Sequence, residues 1–434
     1  MPTSPEHILI YSKIREHLIS ADDTVYHANK AFYLAPKENG DIIVDHEVTA
    51  LSELFSELNV LEKGSRKMTK ISLNRPAVMM KLLFDDAEIQ FNILLEKFHS
   101  TLIVNQRITT ANNGWITASA YMSNVAAKDE FLNLATAILL STVCRLLKSR
   151  VEVILMCPPN FQINDVLHNV HLEVTLPSVK YYGHDFNLKE LEDSKSVYLS
   201  TRARLNKCAV DNAFRVIYGN FTFKDMNNDD AGSLKGYITS RNKELLKQAE
   251  ERLLDCNEDL SIEQVCHKML PFIVLFDLFS SSTPFNPLNP SPQQLRDAVF
   301  IHYNIARIAH IKQVYEKVEK QTLQTDLSLL NLDIEWALTC QLVNFEQVFK
   351  EAFINPLAKV DNQAYLSINK ILQYLVKLVK SFSKYYSSTK IVTYDHKETL
   401  VVRMNTRMLL VNSVYNVLVF CLKDVFGVPL VFNM

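Results

Sequence analysis

Four prolines fall between Ser280 and Pro292, in the stretch SSSTPFNPLNPSP. Each fixes its own φ and removes a backbone donor, so neither a helix nor an interior strand can run through them. This stretch is therefore the strongest boundary in the chain, and the sequence on its two sides has different periodicity. We read residues 1–157 as a mixed α/β domain, 158–280 as a weaker α/β middle region, 281–292 as the linker and 293–434 as an all-helical domain. The fold class is thus α+β, with a mixed α/β N-terminal region followed by an all-α helical bundle.

Ahead of the linker, Val151–Met156 is an apolar run of strand length, and Phe131–Leu147 has the length and apolarity of a buried helix. Met68–Leu73 alternates as a strand does. His46–Leu61 reads as a helix. Thr101–Thr109 and Trp115–Met122 flank Asn113-Gly114, the pattern of a hairpin. Val197–Thr201 reads as a strand and Asn242–Leu254 as a charged helix. After the linker, helices are expected over Leu295–Val318, Asp333–Phe349 and Asn362–Tyr386. A last one begins near Asp395, read as an N-cap with Glu398 three residues on. Leu410, Val414, Val417, Leu418 and Cys421 give that helix an apolar face, and Gly427 and Pro429 end it.

Only 8 of the 434 residues are glycine, which argues against Gly-rich phosphate loops. The formal net charge is -2, so any contact with nucleic acid must come from a local basic patch. The 7 cysteines include no C-x-x-C pair and read as reduced and mostly buried. No signal peptide is legible at the N-terminus, and the uncharged runs are too short to span a bilayer. A soluble cytoplasmic protein without a membrane partner is expected.

The basic patch lies on the third C-terminal helix. Ile368, Ile371, Leu375, Leu378 and Phe382 recur on one face; Lys370, Lys377 and Lys384 line another, with Lys380 beside them. Tyr385 and Tyr386 stand at its end, and Lys390, Arg403 and Arg407 follow. Lysines beside aromatics suit unpaired RNA, since charge meets phosphate and rings stack on bases. The same pattern also describes a solvated helix face with two packing tyrosines.

The C-terminal third resembles the DALR anticodon-binding domain of arginyl-tRNA synthetases. The resemblance is carried by Tyr303, Ala306, Arg307 and Ile308; by Glu335, Leu338 and Phe345; by Ser381–Tyr386; and by Thr406, Arg407, Met408 and Leu410 with Gly427 and Met434. It implies that Tyr386 and the C-terminal Met434 approach an anticodon loop. Lys390 stands where some synthetases carry an aromatic. Such synthetases also need a His-x-Gly-His motif and a later Lys-Met-Ser-Lys-like loop. His168-Asn169-Val170-His171 lacks the glycine, and Lys67-Met68-Thr69-Lys70 comes first, in the wrong order. The stretch before the anticodon module reads as too short for a full catalytic domain.

The chain is thus similar to a non-catalytic, synthetase-like family with a DALR domain. The resemblance implies a non-enzymatic adaptor that recognises arginine tRNA and supports a tRNA 3-methylcytidine methyltransferase. The tRNA contacts expected are Tyr385, Tyr386, Met434, Lys377, Lys380, Lys384, Lys390, Arg403 and Arg407. No catalytic residue, metal or cofactor is expected. The alternatives are a residual arginyl-tRNA synthetase and a helical protein scaffold without RNA.

Overall fold

A strand that is apolar at almost every position has no face to give to water, and Val151–Met156 is such a strand. In the computed structural model it lies inside a parallel sheet, buried except at Glu152. The structure describes residues 32–34, 42–44, 58–63, 69–73, 87–104, 116–122, 127–147, 151–163, 179–182, 197–201, 214–218, 233–252, 261–280, 285–318, 323–358, 363–395 and 397–432. The chain divides into two compact units. One comprises residues 1–89, 315–347 and 380–414, and the other residues 90–314, 348–379 and 415–434.

The second unit holds a six-stranded sheet. Four strands of the first unit precede it in the chain, so its own are numbered β5 (Ile116–Tyr121), β6 (Val151–Met156), β7 (Val179–Tyr182), β8 (Val197–Thr201), β9 (Phe214–Tyr218) and β10 (Gln363–Leu366). Their order is β10-β9-β8-β5-β6-β7, and every pairing is parallel, with Ile116 opposite Val151 and Ala118 opposite Val197. Parallel neighbours need a crossover, and between β5 and β6 it is the helix Ala127–Leu146. Residues 131–144 of that helix are all buried, as expected of a helix that is apolar on all sides. The chain runs outward from β5 to β7, then returns to place β8 on the other side of β5. An open sheet leaves a ligand crevice at such a reversal, beyond the carboxyl ends of the two strands.

Two expectations are corrected here. Thr101–Val104 is the end of a helix, Ala87–Val104, and β5 has parallel partners on both edges. The turn of the expected hairpin, Asn113-Gly114, lies outside the described residues. Nor is everything after the linker helical. Gln363–Leu366 is strand β10, with Ala364 and Leu366 buried and Tyr365 exposed. Four residues of alternation are too few to stand out beside the helix that follows.

We number the principal helices α1 (Ala87–Val104), α2 (Ala127–Leu146), α3 (Leu234–Arg252), α4 (Ile262–Phe279), α5 (Pro292–Lys317), α6 (Asp333–Phe349), α7 (Ile368–Ser388) and α8 (Glu398–Val419). A capping box starts α4: Ser261 Oγ accepts from Gln264 N–H, and the Gln264 side chain accepts from Ser261 N–H. Pro292 occupies the first position of α5, where its missing donor costs nothing. α3 and α4 are joined by a buried network in which Arg241 Nε donates to Asp277 Oδ2 at 2.6 Å and Tyr237 Oη to the same oxygen at 2.6 Å. The five described cysteines, Cys144, Cys157, Cys266, Cys340 and Cys421, are buried and form no disulfide.

In the first unit, β1 (Phe32–Leu34), β2 (Ile42–Val44), β3 (Leu58–Lys63) and β4 (Thr69–Leu73) form an antiparallel sheet of order β1-β2-β4-β3. The helix expected over His46–Leu61 is corrected at its end, where Leu58–Leu61 belong to β3. The helical part of this unit packs Val318 against Val401 and Met404, with Tyr315 and Val392 alongside. Tyr315 Oη donates to Asn405 Oδ1 at 3.0 Å, and Asn405 Nδ2 to the Gln324 carbonyl at 3.0 Å.

Asp395 does not cap α8. Its Oδ1 accepts from Lys397 N–H at 3.1 Å, and the Lys397 carbonyl takes the first helical bonds, from Leu400 and Val401. After Val419 the helix widens into a π-helical segment, Phe420–Val425. The continuous helical stretch Glu398–Val425 is long and apolar enough to cross a membrane by length and composition, and 56% of its apolar window is buried.

Candidate nucleic-acid interface

The 3.6-residue period of α7 sorts its side chains into two faces. Ile368, Ile371, Leu372, Leu375, Leu378, Val379, Phe382 and Tyr385 are buried. In the second unit this leaves Lys370 and Lys377 exposed, and Lys370 Nζ is paired with Glu351 at 2.9 Å.

In the first unit, Lys380 and Lys384 are exposed one helical turn apart. Tyr386, two residues after Lys384, lies about 200° further around the axis, on a different face of the helix. It is 40% exposed, and its ring packs against Phe382 with centroids 6.5 Å apart. Lys390 and Tyr394 are exposed just beyond the helix, Tyr394 at 70%. Lys380 and Lys384 on one face, Tyr386 on another, and Lys390 and Tyr394 beyond the helix end are cations and aromatic faces of the kind that meet a phosphate chain and its bases. Tyr394 was not anticipated from sequence. Its only signal is an aromatic in the polar turn between two helices.

Three other expected contacts are placed differently. Tyr385 is wholly buried, so stacking on a base is not open to it. Its hydroxyl has no hydrogen-bond partner. Burial pushes that hydroxyl far above its ordinary pKa, with the Glu335 carboxylate adding to the rise and Arg407 opposing it. Arg407 is committed to structure. Its Nε donates to Glu335 Oε1 at 3.0 Å and its Nη1 to the Lys390 carbonyl at 2.8 Å. Glu335 is itself buried and accepts a second bond, from Leu332 N–H at 3.0 Å. Arg403 is partly buried, and its Nε faces no hydrogen-bond partner. Met434 lies outside the described residues.

His168–His171 also lies outside the described residues. Thr69 and Lys70 lie in β4, where Lys70 is paired with Ile43 and with Glu62. That setting is an interior strand, unlike a phosphate-binding loop. Arg307 lies over the exposed ring of Tyr303, 4.5 Å from its centroid, and Nη2 donates to the Tyr303 hydroxyl at 2.8 Å.

Residues 301–434 match the family model of the DALR anticodon binding domain. An arginine–tRNA ligase of Leuconostoc mesenteroides is 26% identical over 218 residues, which cover 49% of this chain and 35% of that ligase. The match therefore spans about a third of the length of that curated relative. Among solved structures, the arginyl-tRNA synthetase of Plasmodium falciparum superposes with a TM-score of 0.57 at 11% identity, over 98% of this chain and 99% of its own. The Thermus thermophilus arginyl-tRNA synthetase gives 0.54 at 12% identity, over 98% of this chain and 100% of its own.

These likenesses correct the expected function. The non-enzymatic adaptor serving a 3-methylcytidine methyltransferase, and with it the exclusion of an enzyme, rested on the missing glycine of His168–His171, the misplaced Lys67–Lys70 and a region ahead of the anticodon module read as too short for a catalytic domain. The chain instead follows the synthetase fold from end to end. It carries a DALR anticodon-binding domain at its C-terminus and an arginyl-tRNA synthetase-like fold throughout.

Proposed function

We propose that this protein works as an arginyl-tRNA synthetase does, binding arginine tRNA through its DALR module and attaching arginine at the expense of ATP. The observation that carries this reading is the strand reversal between β5 and β8 in the sheet of the second unit. It supplies the crevice that nucleotide-binding α/β sheets use, in the same chain as an anticodon-binding module. In the first unit, Lys380, Lys384 and Lys390 neutralise phosphates, while Tyr386 and Tyr394 offer faces to unpaired bases.

Two measurements test the reading. Arginine-dependent exchange of pyrophosphate into ATP is expected; its absence with an arginine tRNA present removes the enzymatic part. Charge reversal of Lys380 and Lys384 should weaken tRNA binding and flatten its dependence on salt, by about 0.7 in the log–log slope for each phosphate no longer neutralised. An unaltered slope removes these lysines from the interface.

A further inference from the structure

Beside the C-terminal end of α4, the second unit has an open pocket of about 620 Å³, within the size range that takes small organic ligands. Its floor is rigid. Asp277 is 2% exposed, with Oδ2 held by Arg241 and Tyr237 and Oδ1 by Arg241 Nη2 at 2.9 Å. Arg241 Nη2 also donates to the Ser291 carbonyl at 2.8 Å, which fastens the loop of the opposite wall to the same network. Phe285 lines that wall, and its ring is fixed edge-on by Tyr237, with centroids 5.4 Å apart.

The rim is made of carboxamides. Gln294 Nε2 donates to Ser280 Oγ at 2.9 Å, and Gln373 Nε2 to the Ser280 carbonyl at 3.3 Å. Each bond orients an amide that still has an acceptor oxygen and a second N–H. Asn289 adds a further amide, and Lys377 supplies an ammonium group. Aromatic walls with oriented amides match a planar heterocycle that carries donors and acceptors on its edge. Asn and Gln meet the purine edge in pairs of hydrogen bonds. An ammonium group suits the phosphate attached to such a base.

We propose that this pocket seats the base of an unpaired purine nucleotide, with Gln294 and Gln373 at its edge and Lys377 toward its phosphate. The proposal rests on the tRNA-binding reading for its source, a nucleotide of the bound tRNA, although a free purine nucleotide offers the same chemistry.

The test uses the full chain and the double variant Asn289→Ala, Gln373→Ala, whose side chains are both exposed. AMP, GMP and an arginine tRNA transcript are titrated against each, with thermal melting as the check on folding. The expected result is a tRNA affinity about tenfold lower in the variant, with the salt slope unchanged because no charge is removed. If AMP or GMP binds the wild type, is weakened by the variant, and tRNA affinity does not move, the base belongs to a free nucleotide and the pocket assignment stands. If the wild type binds no tRNA, the tRNA reading fails, and the mononucleotide titrations alone decide the pocket. If the variant changes the affinity of no ligand, the pocket is filled by solvent only and the proposal is overturned.

Discussion

Arg407 and Glu335 are a buried pair: Nε stands 3.0 Å from Oε1, with side chains 13% and 0% exposed. The same guanidinium holds the Lys390 carbonyl, so one residue ties the start of α6 to the segment that presents Lys390. Removing one partner of a buried pair leaves an uncompensated charge and costs about 3–5 kcal/mol. Arg407→Ala should therefore lower stability by that order in a urea titration. Arg407→Lys should recover only part, because an ammonium group cannot reproduce the planar fork. A drop in tRNA affinity with stability unchanged would instead place Arg407 on phosphate.

The neighbours Tyr385 and Tyr386 should behave oppositely. Tyr386→Ala removes an exposed ring and is expected to weaken arginine tRNA binding about tenfold, since stacking contributes on the order of 1–3 kcal/mol per base. The melting temperature should barely move. Tyr385→Phe deletes a buried hydroxyl that makes no hydrogen bond, so stability should hold or rise by about 1 kcal/mol, with tRNA affinity unchanged. A filter-binding titration beside a melting curve on both variants separates the two cases.

That contrast shows what could be read from the residues alone. Helical spacing placed Ile368 to Phe382 on one buried face of α7, and continuous apolarity placed Val151–Met156 inside a sheet. Both follow from local period, which a single sequence contains. Tyr385, three residues after Phe382, continues the same buried stripe, whereas Tyr386 falls about 100° off it, so the period that placed the apolar residues also separates the two tyrosines. Glu335 could not be paired with Arg407 from sequence, because 72 positions separate them and only the fold brings them together. The strand expected over Thr101–Thr109 fails at its start, because Thr101–Val104 closes the helix α1.

His302 lies wholly inside the second unit, edge-on to Phe272 at 5.3 Å, and neither ring nitrogen has a hydrogen-bond partner. Burial lowers its pKa from 6.5 to about 3. The folded state therefore refuses a proton that the unfolded chain accepts. Stability is unaffected above pH 6.5 and falls as the pH drops from there toward 3, by on the order of several kcal/mol in all. His302→Leu should remove part of this slope: its urea midpoint at pH 5, relative to pH 7.5, should fall less than that of the wild type. Parallel pH profiles for the two proteins would mean that the imidazole gains a proton-accepting partner as the chain is acidified.

Gly427 closes the π-helical segment after α8 with φ at +69°, a backbone conformation that side chains with a Cβ rarely adopt. Its N–H bonds the Lys423 carbonyl at 3.1 Å, and Val428 N–H bonds the Leu422 carbonyl at 2.8 Å, the pattern of a helix C-terminus with a left-handed glycine. A Cβ at this position would also meet the guanidinium of Arg145. Two causes thus predict destabilisation by Gly427→Ala, and they can be separated. The Arg145 contact is with the end of a flexible side chain, which can move aside, whereas the backbone strain cannot be relieved without opening the turn. Gly427→Ala should cost about 1–2 kcal/mol through the backbone alone, and nearly the same cost should remain when it is made in an Arg145→Ala background. Gly427→Asn should cost less, since asparagine tolerates the left-handed region. If Arg145→Ala instead rescues Gly427→Ala, steric contact with the guanidinium sets the requirement for glycine, and the turn itself would accept a side chain.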